Sequence, residues 1–378
     1  MSPASAKRYL EAPVSADLRE KMVFVGGPRQ VGKTTLALRV IGAQDARHPA
    51  YLSWDDVKAR PRILRAELPA GASRVVLDEI HKYARWRNLI KGLYDTRAPG
   101  QSFLITGSAR LDVYRRGGDS LQGRYHSYRL HPLSLGEVGG TVDALAALLR
   151  FGGFPEPFFR ASDRHWRRWS RERVDRVVRD DVRDLERVRE VSLIAVLVDA
   201  LPSRVGSPLS VQGLRENLDV AHDTAERWLS ILENLYVSYR IAPFGAPRIR
   251  AVKKEQKLYL WDWSMVEEPG ARFENLVASH LLKLCHFLED TEGYRMELRF
   301  LRDTDKREVD FVVLQDRKPM FAVEAKTGER GVSPAVRYFK ARTSIPRWYQ
   351  VHLGAKDVLV DGVRILPFAT WCAEVGVP

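Results

Sequence analysis

Cysteine is scarce, with Cys285 and Cys372 the two present in 378 residues. Two thiols build no disulfide framework, and neither stands at metal-ligand spacing from a second cysteine or a histidine, which argues against a stapled secreted scaffold and a zinc module. Long apolar runs are missing too. The hydrophobic stretches are short or broken by charge, as Asp199 breaks Leu193–Leu201, so none reads as a transmembrane helix. The first residues carry no apolar core of the signal-peptide kind, and with so few cysteines this leads to the expectation of a cytoplasmic protein. Internal repeats and low-complexity linkers do not occur, which favours closely docked domains. What is present is a 45% hydrophobic composition, enough for two or three domains with real cores. The net charge of +13, with a pI near 9.7, favours a polyanionic partner.

One run stands out. Gly27-Pro28-Arg29-Gln30-Val31-Gly32-Lys33-Thr34 satisfies the pattern G-x-x-x-x-G-K-[ST], followed by Thr35. Met22–Val25 before it reads as a buried strand and Thr34–Val40 after it as a helix, the context such a loop needs. Glycines let backbone N–H groups curl around an anion and the helix N-terminus adds a favourable dipole. Lys33 reaches the outer phosphates and the Thr34 hydroxyl ligates Mg2+. About forty residues on, the apolar strand Arg74–Leu77 ends in Asp78-Glu79. That is the expected second half of an ATP site, Asp78 serving the metal and Glu79 polarising the attacking water. A third strand, Ser102–Ile105, runs into Thr106-Gly107-Ser108, where a hydroxyl can sense the γ-phosphate. Thr106 and Ser108 both qualify as that sensor, Ser108 being the cofactor-binding candidate, and a turn-forming hydroxyl is the bland reading of either side chain. In the Gly- and Arg-rich loop 114–124, Arg124 is the candidate arginine finger, reaching a neighbouring subunit's nucleotide, which implies a homo-oligomer, a hexameric ring among the options.

These segments, with Leu77-Asp78-Glu79-Ile80-His81-Lys82, Trp86–Leu93 and Leu121-Gln122-Gly123-Arg124, resemble prokaryotic AAA+ ATPases whose C-terminal half was long catalogued as a domain of unknown function. Gly152-Gly153-Phe154-Pro155-Glu156 and Arg179-Asp180-Asp181-Val182 resemble the next stretches of that family. The resemblance runs from about Met22 onward. It implies an ATPase and says little about its substrate.

Residues 160–190 hold eleven arginines against eight acids, with Val174, Val178, Val182, Leu185 and Val188 at helical spacing. This is an amphipathic helix with a mixed-charge exterior, read first as a solvated surface. Next come two short helices, Leu209–Leu218 and His222–Leu235, the second with Asp223 and Glu226 at capping-box spacing. Strand-like Tyr236–Ile241 and Lys257–Trp261 flank a loop with Arg248, Arg250, Lys253 and Lys254. Together these describe a winged helix. With Arg227 on its second helix, the expected partner is duplex or branched DNA held through phosphates, and protein contact is the alternative.

In the last third, Arg307–Leu314 alternates as a strand and Met320–Lys326 is a second, joined by a turn at Gln315–Pro319. A hairpin centred near Arg317 sets Asp310 opposite Glu324, with Lys326 on the same face. Two carboxylates can hold a divalent metal while a lysine orients or deprotonates water. Asp310 with Glu324-x-Lys326 resembles the PD-(D/E)xK nuclease fold. That resemblance implies a further carboxylate from a preceding helix, which Glu274 would supply, and a second Mg2+ or Mn2+ on Asp310 and Glu324.

The reading is therefore an α/β chain with four segments. Residues 1–140 form a P-loop AAA+ ATPase core, 141–200 a helical lid, 201–262 a winged helix and 263–378 a restriction-endonuclease-like α/β domain. ATP and Mg2+ are the expected cofactors. The expected function is ATP-driven remodelling or processing of DNA, in which hydrolysis changes how the DNA-holding parts are oriented and the C-terminal site cuts or merely holds. The alternative is a nucleotide-controlled protein-interaction switch with a nuclease-like scaffold.

Overall fold

The computed structural model describes residues 7–107, 121–176, 188–245 and 255–378. Ser108, Arg248, Arg250, Lys253 and Lys254 lie outside these residues, as do Arg179–Val182 and most of the valine stripe. The chain divides into two units, Met1–Pro132 and Leu133–Pro378.

The first unit is built on five short strands, β1 (Met22–Gly26), β2 (Tyr51–Ser53), β3 (Arg74–Asp78), β4 (Ser102–Thr106) and β5 (Tyr125–Arg129). They form one parallel sheet in the order β2-β3-β4-β1-β5. β1 and β4 are buried along their whole length, as expected of runs such as Met-Val-Phe-Val in a sheet covered on both faces. The helices are α1 (Glu11–Asp17), α2 (Lys33–Val40), α3 (Ala59–Leu64) and α4 (Trp86–Asp95). Phe24, Leu77, Phe103 and Ile105 from the strands meet Ile63, Trp86 and Ile90 from α3 and α4 in one core. Because every strand is parallel, the ends of β1, β3 and β4 emerge on the same edge, and the phosphate-loop sequence leaves from there.

The second unit opens with α5 (Val142–Phe151), α6 (Pro155–Arg160), α7 (Asp163–Arg176) and α8 (Val188–Ala200). The mixed-charge segment does not form one helix from Arg160. Ala161, at φ 46°, ends α6, and α7 begins at Asp163. Nor is its charge all solvated. Arg173 is 6% exposed, its guanidinium 4.1 Å from the Phe154 ring and 5.7 Å from that of Trp169, with Asp262 at 3.8 Å. Gly152 is required where α5 turns into this cluster. Its φ is 77°, and a Cβ there would lie 2.6 Å from Asp262 Oδ1.

Next come α9 (Val211–Leu218), α10 (His222–Asn234) and the antiparallel pair β6 (Ser238–Pro243) and β7 (Lys257–Leu260), with Pro208 bridging to Lys257. The expected capping box on α10 does not form. Ala221 is the N-cap without a side-chain bond, and the Glu226 carboxylate instead accepts from Arg240 at 2.7 Å, an ion pair shared with Glu233. After α11 (Pro269–Glu292) come β8 (Met296–Arg302), β9 (Glu308–Gln315), β10 (Lys318–Lys326), α12 (Pro334–Lys340), β11 (Trp348–His352), β12 (Val358–Val360), β13 (Val363–Pro367) and α13 (Phe368–Val375). The sheet order is β12-β13-β11-β10-β9-β8-β6-β7, so the hairpin from segment 201–262 continues the sheet of segment 263–378. Asp316 and Arg317, both at positive φ, make a tighter turn between β9 and β10 than Gln315–Pro319. Phe311 faces Val323 across the pair, the register that brings Asp310 beside Glu324.

Candidate functional sites

The phosphate-loop segment leaves β1 at Gly27, whose φ is 148° and where a Cβ would meet Leu130 O at 2.5 Å. No other residue fits that turn. Gln30 at φ 62° and Gly32 at φ 99° complete the curl, and Gly32 is the N-cap of α2. Pro28 and Val31 are buried, Arg29 and Thr35 half-buried, and Gln30 and Thr34 exposed. Lys33, 7% exposed, donates from Nζ to Gly27 O at 2.9 Å and Pro28 O at 2.7 Å, spanning the loop. The buried Arg8 fastens the loop from below, donating to Val31 O at 2.6 Å and His131 O at 2.5 Å. Arg8 went unnoticed in the sequence, where nothing local marks it.

At the end of β3, the Asp78 carboxylate accepts from the hydroxyls of Tyr51 and Thr106. Tyr51 in turn makes a side-chain hydrogen bond with Thr34, so its oxygen links the two residues read as metal ligands. Burial, with Asp78 adding to it, pushes the Tyr51 phenol well up, which keeps it a donor. Tyr51 is the second residue the sequence reading missed. Glu79 sits at φ 55°, its N–H bonded to Thr106 O at 2.9 Å, its carboxylate 3.5 Å from His81 Nε2 and 3.7 Å from Lys82 Nζ. Burial raises its carboxyl, Lys33 pulling the other way. Glu79 thus has a raised carboxyl next to an acid lined by hydroxyls. Thr34 and Asp78 supply the oxygen donors that suit Mg2+.

Arg124 is far from this edge in its own chain. β1 and β5 run parallel with Met22 beside Tyr125 and Gly26 beside Arg129, so Arg124 precedes the strand that the loop follows, roughly 15 Å away. Its guanidinium grips Asp95, with Nε–Oδ1 at 3.0 Å.

In the second unit, Glu274 on α11, Asp310 on β9, and Glu324 and Lys326 on β10 converge. Asp310 N donates to Glu324 Oε2 at 3.3 Å, Asp310 Oδ2 accepts from Ala325 N at 2.8 Å, and Lys326 Nζ is 2.7 Å from Glu324 Oε1. Burial first, then the charge of Asp310, pushes Glu274 up to about 7 and Glu324 up to about 8. A fifth residue, unforeseen, stands among them. Lys257 on β7 is fully buried, its Nζ 3.1 Å from Glu274 Oε1, 3.8 Å from Asp310 Oδ1 and paired with Glu308. Tyr259, two residues on, donates to Glu274 Oε1 at 2.7 Å. The three carboxylates around Lys257 hold an ammonium where a divalent ion would have to sit. Among the described residues no cluster of His, Cys, Asp and Glu is arranged to hold a metal. As it stands, then, the site does not fit the second Mg2+ or Mn2+ expected on Asp310 and Glu324. Arg227 is exposed on α10.

Comparison with known proteins follows the same division. Residues 19–139 match the family described as an AAA domain, 142–268 a domain of unknown function (DUF8612) and 269–371 another (DUF4143). An uncharacterised protein of Mycobacterium tuberculosis is 26% identical over 250 residues, 66% of this chain and 56% of that protein, so the chain spans little more than half of that relative. An uncharacterised protein of Methanocaldococcus jannaschii is 21% identical, covering 93% of this chain and 88% of its own length. Among solved structures, the Aeropyrum pernix Orc1 protein in complex with DNA matches at 14% identity and a TM-score of 0.32, over 72% of this chain and 93% of that one. The Thermotoga maritima RuvB Holliday junction branch migration motor matches at 17% and 0.30, over 61% and 85%. Scores this low say nothing about function. No described helix is long and apolar enough to cross a membrane. Residues 19–139 thus form an AAA-type, ATPase-like P-loop domain on an α/β fold.

Proposed function

We propose that the chain is an ATP-hydrolysing, DNA-binding AAA+ protein whose C-terminal part holds DNA rather than cutting it. The observation that carries the ATPase reading is the shared edge of the parallel sheet. The curled loop Gly27–Thr34 leaves β1 there, and Asp78-Glu79 leaves β3 with β4 between them. Lys33 binds the phosphates, Thr34 and Asp78 hold Mg2+, and Glu79 takes the proton of the attacking water. Bound Mg2+ would neutralise phosphate charge. Arg29, Gln30 and Thr35 border the same loop, and Ser108 remains the proposed γ-phosphate sensor.

Arg124 acts on the nucleotide of a neighbouring protomer. Its place at the opposite end of β5 supports a role in trans over one in cis, and the oligomer follows from that role. The two helices α9 and α10 with the β6–β7 hairpin support a winged helix over residues 201–262. Arg227 and the loop residues Arg248, Arg250, Lys253 and Lys254 give it phosphate contacts, and the proposed compartment is the cytoplasm. Glu274, Asp310, Glu324 and Lys326 support a nuclease-like ancestry for residues 263–378, while the ammonium of Lys257 favours a holding platform. Residues 1–140 make the proposed ATPase core and 141–200 the proposed helical lid.

The test is ATP turnover of the full chain with and without duplex and four-way-junction DNA. Turnover that DNA stimulates and Lys33→Ala abolishes is expected. Turnover indifferent to DNA, with no DNA retained at low salt, would replace this reading with a nucleotide-controlled protein switch.

A further inference from the structure

The β7 lysine changes what the acidic cluster is for. Lys257 is buried to 0% exposure, and its backbone is pinned on both sides, paired with Ile241 on β6 and bridged to Pro208. Its ammonium lies within 4 Å of carboxylate oxygens on Glu274, Glu308 and Asp310. Around it the carboxylate oxygens, Glu274 Oε2 aside, are each within reach of a donor. Glu274 Oε1 receives Tyr259 at 2.7 Å as well as Lys257. Glu308 takes Lys257 on Oε1 and Arg302 on Oε2 at 2.7 Å. Asp310 has the Lys257 ammonium 3.8 Å from Oδ1 and accepts from Ala325 N on Oδ2, and Glu324 takes Lys326 and Asp310 N. Lys257, Lys326 and Arg302 thereby offset most of the charge of Glu274, Glu308, Asp310 and Glu324. A buried acidic site that brings its own cations in hydrogen-bonding geometry has little left to offer a hard metal.

We infer that the ammonium of Lys257 is the resident cation of the C-terminal carboxylate cluster, so this site binds no catalytic divalent metal and the nuclease-like domain does not hydrolyse phosphodiesters. The lysine takes over the structural part of a metal's task. It draws α11, β7 and β9 together through Glu274, Glu308 and Asp310, and it comes from the hairpin that leaves the basic loop.

The test is Mn2+ binding to the nucleotide-free full chain, read from loss of the free-ion paramagnetic resonance signal. Wild type and Asp310→Asn are expected to take up the same Mn2+. Lys257→Gln is expected to gain a site at least ~10-fold tighter than any in wild type, lost again when Asp310→Asn is added. A wild-type Mn2+ equivalent that Asp310→Asn removes would overturn the inference. So would a folded Lys257→Gln chain with wild-type uptake, or Mn2+-dependent nicking of plasmid DNA by wild type that Glu324→Gln abolishes. If Lys257→Gln does not fold, the comparison of wild type with Asp310→Asn decides alone. None of these readouts involves ATP turnover, so failure here and failure of the ATPase reading are told apart by Lys33→Ala in the same preparation.

Discussion

Tyr51→Phe removes one oxygen from the ATP site and keeps the ring, which is 9% exposed, in its slot on β2. Asp78 then loses one of the two hydroxyl donors named above and keeps Thr106. A hydrogen bond to a charged group contributes about 1.5–3 kcal/mol. Asp78 is 7% exposed, so water replaces the lost donor poorly, and the expected cost to the first unit is ~2 kcal/mol, or roughly 5–10 °C in Tm. Because the phenol is raised, the donor persists through the working pH range, and the deficit is expected to be flat from about pH 6 to 9. The functional consequence follows from the link to Thr34. Without Tyr51 the Thr34 and Asp78 oxygens proposed to hold Mg2+ are no longer positioned by one group, so the Mg2+ concentration for half-maximal turnover is expected to rise ~5- to 30-fold, the equivalent of one to two kcal/mol. Urea unfolding of the full chain and turnover against Mg2+ at saturating ATP measure the two effects. A variant with wild-type stability and wild-type Mg2+ dependence refutes the reasoning. One that needs less Mg2+ shows that Tyr51 competes with the metal instead of preparing its site.

Four further outcomes are expected. Lys33→Ala lowers turnover at least ~100-fold with the fold intact, checked by ATPase assay and circular dichroism. Arg124→Ala is equally inactive, but mixing it with Lys33→Ala restores up to roughly a quarter of wild-type turnover if the finger acts in trans, and restores nothing if it does not. Glu324 and Glu274 have raised folded-state values, about 8 and about 7, so the stability they contribute is complete below about pH 4.5 and is lost as pH rises through 7–8. Denaturation of the full chain at pH 5 and 8 is therefore expected to show a smaller loss in Glu324→Gln than in wild type. DNA retention falls steeply with salt, and charge reversal at Lys253 and Lys254 flattens that slope; a slope near zero in wild type argues against phosphate-led binding.

How much of this was legible in the sequence depended on how locally each feature is determined. The phosphate loop could be read because strand, glycines, lysine and helix follow one another along the chain. Asp310, Glu324 and Lys326 could be read because a hairpin centred on Arg317 gives the observed register, although the strands reach it through a turn at Asp316-Arg317 and a one-residue shift between Pro319 and Phe321 that the sequence reading did not foresee. Tyr51 and Arg8 could not, since their partners are brought to them by the fold from far along the chain. Lys257 left a faint trace. In Lys257-Leu258-Tyr259-Leu260 the alternation puts Lys257 and Tyr259 on one face, and both touch Glu274. A lysine heading an otherwise apolar strand was the available signal, but its partners depend on β6 pairing with β8, which no spacing discloses. The capping box failed for a related reason. Glu226 had a stronger offer from Arg240, a charged donor brought close only by the packing of α10 on β6.

Asp78 and Asp310 are both buried acids at an edge where strands end or meet, and counting carboxylates cannot separate them. The sign of their nearest donors does. Asp78 is held by Tyr51 and Thr106, neutral hydroxyls that orient the carboxylate and leave its charge in place, while Lys33 is bonded to the carbonyls of Gly27 and Pro28. An acid fixed in position with its charge uncancelled is prepared for an incoming cation. Asp310 faces Lys257, and Glu274 and Glu308 share the same ammonium. Exchanging that ammonium for a dication would mean drawing a buried lysine away from three carboxylates, and breaking a buried ion pair costs several kcal/mol before the metal is bound. A PD-(D/E)xK-like pattern of acids is therefore compatible with two opposite outcomes. The residue that decides between them here lies outside the pattern, on a strand contributed by the preceding hairpin.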